Sequence, residues 1–195
     1  MPENLAYVLS QMDVDSYFDH TIFEITIGNG DIGNTRFYRV PGGKWKWVLY
    51  DTEAGFLNLN TKPLELYTLS IGVNNGYFQH APLVALLRVP AMRDKFFTRF
   101  AEILETVFLR ENIEAVIDKW AAALEPVLPR HLARWGRLTM QSWRNNVSAI
   151  RYNGRTRAVR MPGYVKRAFG LTNAEYERYF AKAEQTLREH NKKKR

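Results

Sequence analysis

Apolar residues recur every three or four positions over most of the chain and alternate with polar ones over one short stretch near residue 45, a pattern that predicts helices around a single hairpin. Asn4–Met12 keeps Leu5, Val8, Leu9 and Met12 on one helical face. Asp13 then reads as an N-cap for a second helix whose apolar positions are Val14, Tyr17, Phe18, Ile22 and Ile25. That helix is expected to stop at Gly28, where Gly28-Asn29-Gly30-Asp31-Ile32-Gly33-Asn34 forms a glycine-rich loop. Thr35–Val40 and Lys44–Tyr50 read as strands, with Pro41-Gly42-Gly43 as the hairpin turn between them.

From Pro82 onward the rhythm is helical. Pro82–Leu87 is followed by Met92–Phe108, which carries Phe96, Phe97 and Phe100, and by Asn112–Leu124. Pro126–Pro129 predicts a break, His131–Ile150 another helix, and Asn153-Gly154 a turn. Arg155–Phe169 reads as a basic helix ended by Gly170, and Asn173–Asn191 as a last helix capped by Thr172 or Asn173. The fold class is therefore α+β and mostly helical, with one domain expected over 1–195 and a basic tail within 172–195.

Composition narrows the chemistry. There is no cysteine among the 195 residues, which excludes disulfides and thiolate metal sites. The four histidines, His20, His80, His131 and His190, have no zinc-type spacing, and His80 and His131 read as structural. No apolar run is long enough to span a bilayer, and the segment from Met1 to Gln11 carries Glu3 and no basic residue, unlike a secretory signal.

The net charge of +8 is uneven: 1–129 hold 11 Lys+Arg against 16 Asp+Glu, whereas 130–195 hold 17 against 4. The arginines are dispersed rather than clustered, a pattern of solvated helix faces that does not point to nucleic acid. Arg151, Arg155, Arg157 and Arg160 read as solvated charges that could also meet an acidic or phosphorylated substrate.

The chemistry concentrates between Asn29 and Phe56. Because a hairpin runs out and back, Asp31 and Asn34 before the first strand should meet Asp51 and Glu53 after the second. Carboxylates and an amide oxygen are hard ligands suited to Mg²⁺ or Mn²⁺. Phosphoryl transfer needs such cations on the phosphates and a carboxylate facing the attacking hydroxyl. Protein kinases use the order Asp, Asn, hairpin, metal-binding Asp, and Asp31, Asn34, hairpin, Asp51 keep that order with a shorter Asp-to-Asn spacing. Asn, Asp and Gly also populate turns for conformational reasons alone, and spacing leaves both readings open. Trp45 and Trp47 on one strand face read as packing residues rather than an adenine platform. Lys44 and Lys46 face the other side, as phosphate contacts or as solvated lysines.

The words around these residues resemble the spore coat protein H (CotH) kinase family. Asp13-Val14-Asp15-Ser16-Tyr17-Phe18-Asp19, Asn29-Gly30-Asp31 with Asn34, Lys44-Trp45-Lys46-Trp47 and Asp51-Thr52-Glu53-Ala54-Gly55-Phe56 follow its motifs in order. Arg160-Met161-Pro162-Gly163-Tyr164-Val165 with Phe169-Gly170-Leu171 is similar to its ending.

The resemblance implies the C-terminal lobe of an atypical protein kinase, a transferase moving the ATP γ-phosphate to protein Ser/Thr with Mg or Mn. Asp31 would be the catalytic carboxylate, and Asn29, Asn34 and Lys44 would meet the nucleotide. Asp51, Asn34 and Glu53 would hold metal. A protein substrate or coat-type partner is implied, in a bacterial cytoplasm or spore coat. Glu53 stands where the family has Asp, and Ala54 where it has Trp. The family's nucleotide-covering half and its Lys–Glu pair have no counterpart upstream of Asp13, so low activity in isolation is expected. The alternative is a catalytically silent interaction or coat-assembly module that uses the basic helices.

Overall fold

A computed structural model of the chain describes residues 2–29, 35–57 and 81–192. Helices α1 (Pro2–Gln11) and α2 (Val14–Ile27) precede the strands β1 (Arg36–Tyr38) and β2 (Lys46–Val48). Six helices follow: α3 (Ala81–Leu87), α4 (Pro90–Thr106), α5 (Arg110–Leu124), α6 (Leu128–Trp135), α7 (Met140–Ala168) and α8 (Asn173–Lys192). The described fold is thus mostly helical with one small antiparallel sheet.

Helix α2 starts as its sequence dictates. The Asp13 carboxylate accepts from the Ser16 backbone N–H at 3.0 Å, which holds its pKa below the ordinary value. The helix ends at Gly28, whose φ of 72° is left-handed. Trp45, expected inside the second strand, instead bonds to the α1–α2 junction. Its N–H donates to Gln11 O at 2.9 Å, and Asp13 N–H donates to Trp45 O at 2.8 Å. Ser16 Oγ accepts from Trp47 N–H at 2.9 Å, so the first turn of α2 is joined to β2. These bonds leave a shorter ladder than expected, pairing Arg36 with Val48, Phe37 with Trp47 and Tyr38 with Lys46. Trp47 packs on Tyr17 with ring centroids 4.7 Å apart, the packing role its strand position suggested.

The core is aromatic. Phe18, Phe96, Phe97, Phe100 and Phe180 are fully buried, and Phe18 meets Phe96 edge-to-face at 5.1 Å. Such pairs contribute about 0.5–1.5 kcal/mol each beyond the area they bury. Helix α4 supplies three of these rings, from the face the 3–4 rhythm predicted, and α8 covers them. Thr172 caps α8: its Oγ1 accepts from Glu175 N–H at 3.2 Å, and its own N–H donates to Glu175 Oε2 at 2.8 Å.

Two sequence expectations are corrected between residues 126 and 169. The helix expected over His131–Ile150 is two helices, because Gly136, at φ 61°, ends α6. Thr139 then starts α7 in a reciprocal cap with Ser142. The turn expected at Asn153-Gly154 is the interior of α7, which runs 29 residues and continues past Pro162. Tertiary packing overrides the local turn signal there, since Gly154, Arg157, Ala158, Met161, Pro162 and Val165 form one buried face.

Helices α5 and α7 are joined by ion pairs in antiparallel order. Arg155 stands 3.7 Å from Glu114, Arg151 pairs with Asp118, and Arg144 lies 2.8 Å from Glu125.

Candidate active site

Asp51-Thr52-Glu53-Ala54-Gly55-Phe56 leaves β2 as a tight turn, with Gly55 N–H donating to Thr52 O at 2.9 Å. Asp51 stands three residues beyond Val48 at φ 57°, a left-handed conformation that Asp tolerates better than most residues. Phe56 sits at φ 58°, where a bulky side chain is strained by about 1 kcal/mol or more.

That strained residue makes the connection on which the site depends. Phe56 N–H donates to Ile27 O at 2.7 Å, tying the turn to the last residue of α2. Gly55 permits the approach, because a Cβ there would lie 2.7 Å from Ile27 Cδ1. Ile27 is four residues before Asp31, so the Asp51–Glu53 turn is fixed to the root of the Asp31 loop.

The sequence-predicted residues fall out as follows. Asp31 and Asn34 lie outside the described residues. Asp51 and Glu53 are exposed on the turn. Asn29 is 2% exposed, and its side chain bonds to the buried Glu24 carboxylate, against whose rise in pKa it acts. Lys44 is exposed at the turn end of the hairpin, whereas Asp51 lies beyond the open end, with the paired residues Lys46–Val48 between them. Lys46 lies 3.5 Å from the Asp13 carboxylate.

Among the described residues no three His, Asp or Glu side chains gather to hold a metal. The donor set still fits a hard divalent cation in its chemistry. Asp51 and Glu53 offer two exposed carboxylates on a backbone held at Gly55 and Phe56.

A cleft of about 660 Å³ lies between α2, β2 and α4, walled by His20, Phe23, Trp47 and Ile103 and by the Asp19–Arg99 pair. Neither Asp51 nor Glu53 lines it. Arg99 Nε and Nη2 donate to the two Asp19 carboxylate oxygens at 2.7 and 2.9 Å, so both charges at that wall are matched.

Helix α7 backs the site with residues that motif reading did not single out for it. Asn153 Nδ2 donates to Phe56 O at 3.0 Å. Arg157, expected as a solvated charge, is fully buried instead, with Nε donating to Thr26 O at 2.8 Å and Nη2 to Ile25 O at 3.1 Å. Arg151 and Arg155 of the same expectation are paired with α5 carboxylates. The signal for Arg157 was present: continuing the apolar rhythm of Val165, Met161 and Ala158 back to Gly154 places it on the buried face.

A mostly helical body carries an acidic turn fixed against the end of α2, just before the Asn29-Gly30-Asp31 run of the sequence. The family model described as CotH kinase protein matches residues 2–161, and the chain belongs to this family. The match spans the α2, hairpin and Asp51–Phe56 motifs, while Pro162–Leu171 lies past its end. No curated protein and no solved structure matched the chain. No helix of the described residues is long and apolar enough to cross a membrane.

Proposed function

We propose that the chain is the catalytic and metal-binding lobe of an atypical protein kinase that transfers the ATP γ-phosphate to a Ser or Thr hydroxyl. The observation that carries this reading is the 2.7 Å bond from Phe56 N–H to Ile27 O, which ties the acidic turn to the root of the Asp31 loop within a CotH-family chain.

Asp31 accepts the proton of the acceptor hydroxyl as its oxygen bonds to the γ-phosphorus. The bond to the bridging oxygen breaks and ADP leaves. Asp51, Glu53 and Asn34 would hold Mg²⁺ or Mn²⁺, which would neutralise charge on the phosphates. Glu53 carries one methylene more than the Asp the family uses, so its carboxylate would approach the cation on a longer arm. Asn29, buried against Glu24, acts on the nucleotide through the loop it anchors. Lys44 meets phosphate only if the hairpin tip bends over the site.

The test is transfer of labelled phosphate from ATP to a generic acceptor protein in Mn²⁺, with Asp31→Ala and Asp51→Ala as controls. Transfer abolished by both substitutions supports the reading; transfer indifferent to them removes it.

A second reading, a catalytically silent module that binds a protein partner, is favoured by a separate observation. From Pro126 to Ala174 the chain has no Asp or Glu. Arg130, Arg134 and Arg137 are exposed there with no carboxylate partner among the described residues. An acidic partner protein suits that surface, and loss of its capture on Arg130→Glu with Arg134→Glu, in a chain without transferase activity, would establish it.

A further inference from the structure

One turn of α7 touches both segments of the site. Asn153 Nδ2 donates to Phe56 O at 3.0 Å and Leu57 O at 3.1 Å, closing off the end of the acidic turn. Four residues on, and so on the same helical face, Arg157 donates to Thr26 O and Ile25 O in the last turn of α2. Between them Gly154 lets the helix come close: a Cβ there would stand 3.0 Å from Ile113 Cγ2 and 3.6 Å from the Phe56 ring.

Arg157 is an expensive way to fill a core. Burial disfavours its charge and lowers its pKa, and an apolar side chain of similar volume would avoid that cost. What the guanidinium provides is specific to its position. Helix α2 has no basic residue in its last turn, and its terminal carbonyls carry partial negative charge. The surroundings are shaped to the group, since a Cβ on Gly28 would lie 2.5 Å from Arg157 Cζ. The direction of the last turn of α2, from which the Asp31 loop departs, is thereby set by a side chain of α7.

We infer that Asn153 and Arg157 are positioning residues, one turn of α7 that fixes the Asp51–Glu53 turn and the root of the Asp31 loop in a single relative placement. The inference rests on the phosphoryl-transfer reading and adds to it a pair of residues that touch neither nucleotide nor cation.

The test uses the full chain with Asn153→Ala, Arg157→Lys and Arg157→Met. Three quantities are compared with wild type: thermal midpoint, the kcat and KM for ATP in phosphate transfer, and amide hydrogen exchange. Asn153→Ala is expected to leave the midpoint within a few degrees and lower kcat at least 10-fold, with KM for ATP changed less than 3-fold. Exchange in 26–29 and 51–57 should rise while α4 stays protected. Arg157→Lys should recover part of the kcat that Arg157→Met loses, because an ammonium still donates to the carbonyls.

Wild-type kcat in Asn153→Ala, or exchange that rises uniformly through α4 in all three variants, would overturn the inference and reduce both residues to packing. A wild-type chain that transfers no phosphate defeats the phosphoryl-transfer reading alone, and the exchange comparison still decides whether this turn places the two segments.

Discussion

His20 Nε2 lies 3.8 Å from Glu24 Oε1, one turn along α2, with only 8% and 5% of the two side chains exposed. Burial pushes the imidazole down to about 4 and the carboxyl up, the latter opposed by the Asn29 hydrogen bond. Glu24 Oε2 has no hydrogen-bond partner among the described residues.

The two groups act on stability in opposite directions. Between the ordinary histidine value of 6.5 and about 4, the unfolded chain binds the His20 proton and the folded chain does not. Stability therefore falls as pH drops through that window, by at most roughly 3 kcal/mol from this group. Glu24, with a raised pKa, disfavours folding in full above the raised value, and the penalty fades as pH falls from there to the ordinary one. His20→Gln should flatten the loss between pH 6.5 and 4 in urea unfolding, and Glu24→Gln should raise stability at pH 7. An unchanged acid slope in His20→Gln would show that other groups drive it.

Gly55 is set against Ile27, so Gly55→Ala forces Cβ into the Ile27 side chain. The expected cost is about 1–3 kcal/mol by thermal unfolding, the usual range for overpacking. Because the clash is with one side chain, Ile27→Ala should rescue part of it, and the double-mutant cycle should show coupling above about 0.5 kcal/mol. Strict additivity would mean that the turn does not rest on α2.

Asp51→Gly separates backbone from chemistry. Glycine adopts the left-handed conformation of this position freely, while its extra freedom in the unfolded chain opposes that gain. Stability should stay within about 1 kcal/mol of wild type. Phosphate transfer should fall at least 100-fold with loss of Mn²⁺ binding, measured by titration of the metal into the variant. Retained Mn²⁺ affinity would remove Asp51 from the proposed metal site.

The Asp19–Arg99 pair makes the opposite kind of prediction. Its geometry is bidentate, and the Asp19 carboxylate, then Glu102, raise the guanidinium pKa. Yet the two side chains are 42% and 37% exposed, so water screens most of the attraction. Arg99→Ala should cost less than about 1 kcal/mol in urea unfolding. A larger loss would mark the aliphatic stem, which walls the α2–β2–α4 cleft, as the stabilising part.

Where the backbone follows local rules, the sequence was readable. Asp13 as cap, Gly28 as stop, the hairpin and the acidic turn all follow from short-range chemistry, and the same residues carried the family resemblance. What escaped was set by contacts across the fold. Asn153-Gly154 carries a turn signal, yet the missing Cβ serves helix packing. Arg157 looks like its charged neighbours in composition, and only its place on the buried stripe distinguishes it. The β-ladder came out short because Trp45 bonds to the α1–α2 junction, a pairing between distant segments that no local pattern encodes.

The three α5–α7 ion pairs also act as a ruler. Glu114, Asp118 and Glu125 advance along one helix as Arg155, Arg151 and Arg144 retreat along the other, in the same steps. Sliding α7 by one turn, about 5.4 Å, would part all three couples, let a single Arg–carboxylate match re-form between neighbours, and carry Arg157 off the α2 carbonyls. Charges that look like solvated surface thus define where along its length the long helix meets the site. Reversing the sign of one pair's partners together should be tolerated, whereas reversing one partner alone should shift the contacts of Arg157 with the end of α2, which none of these residues touches.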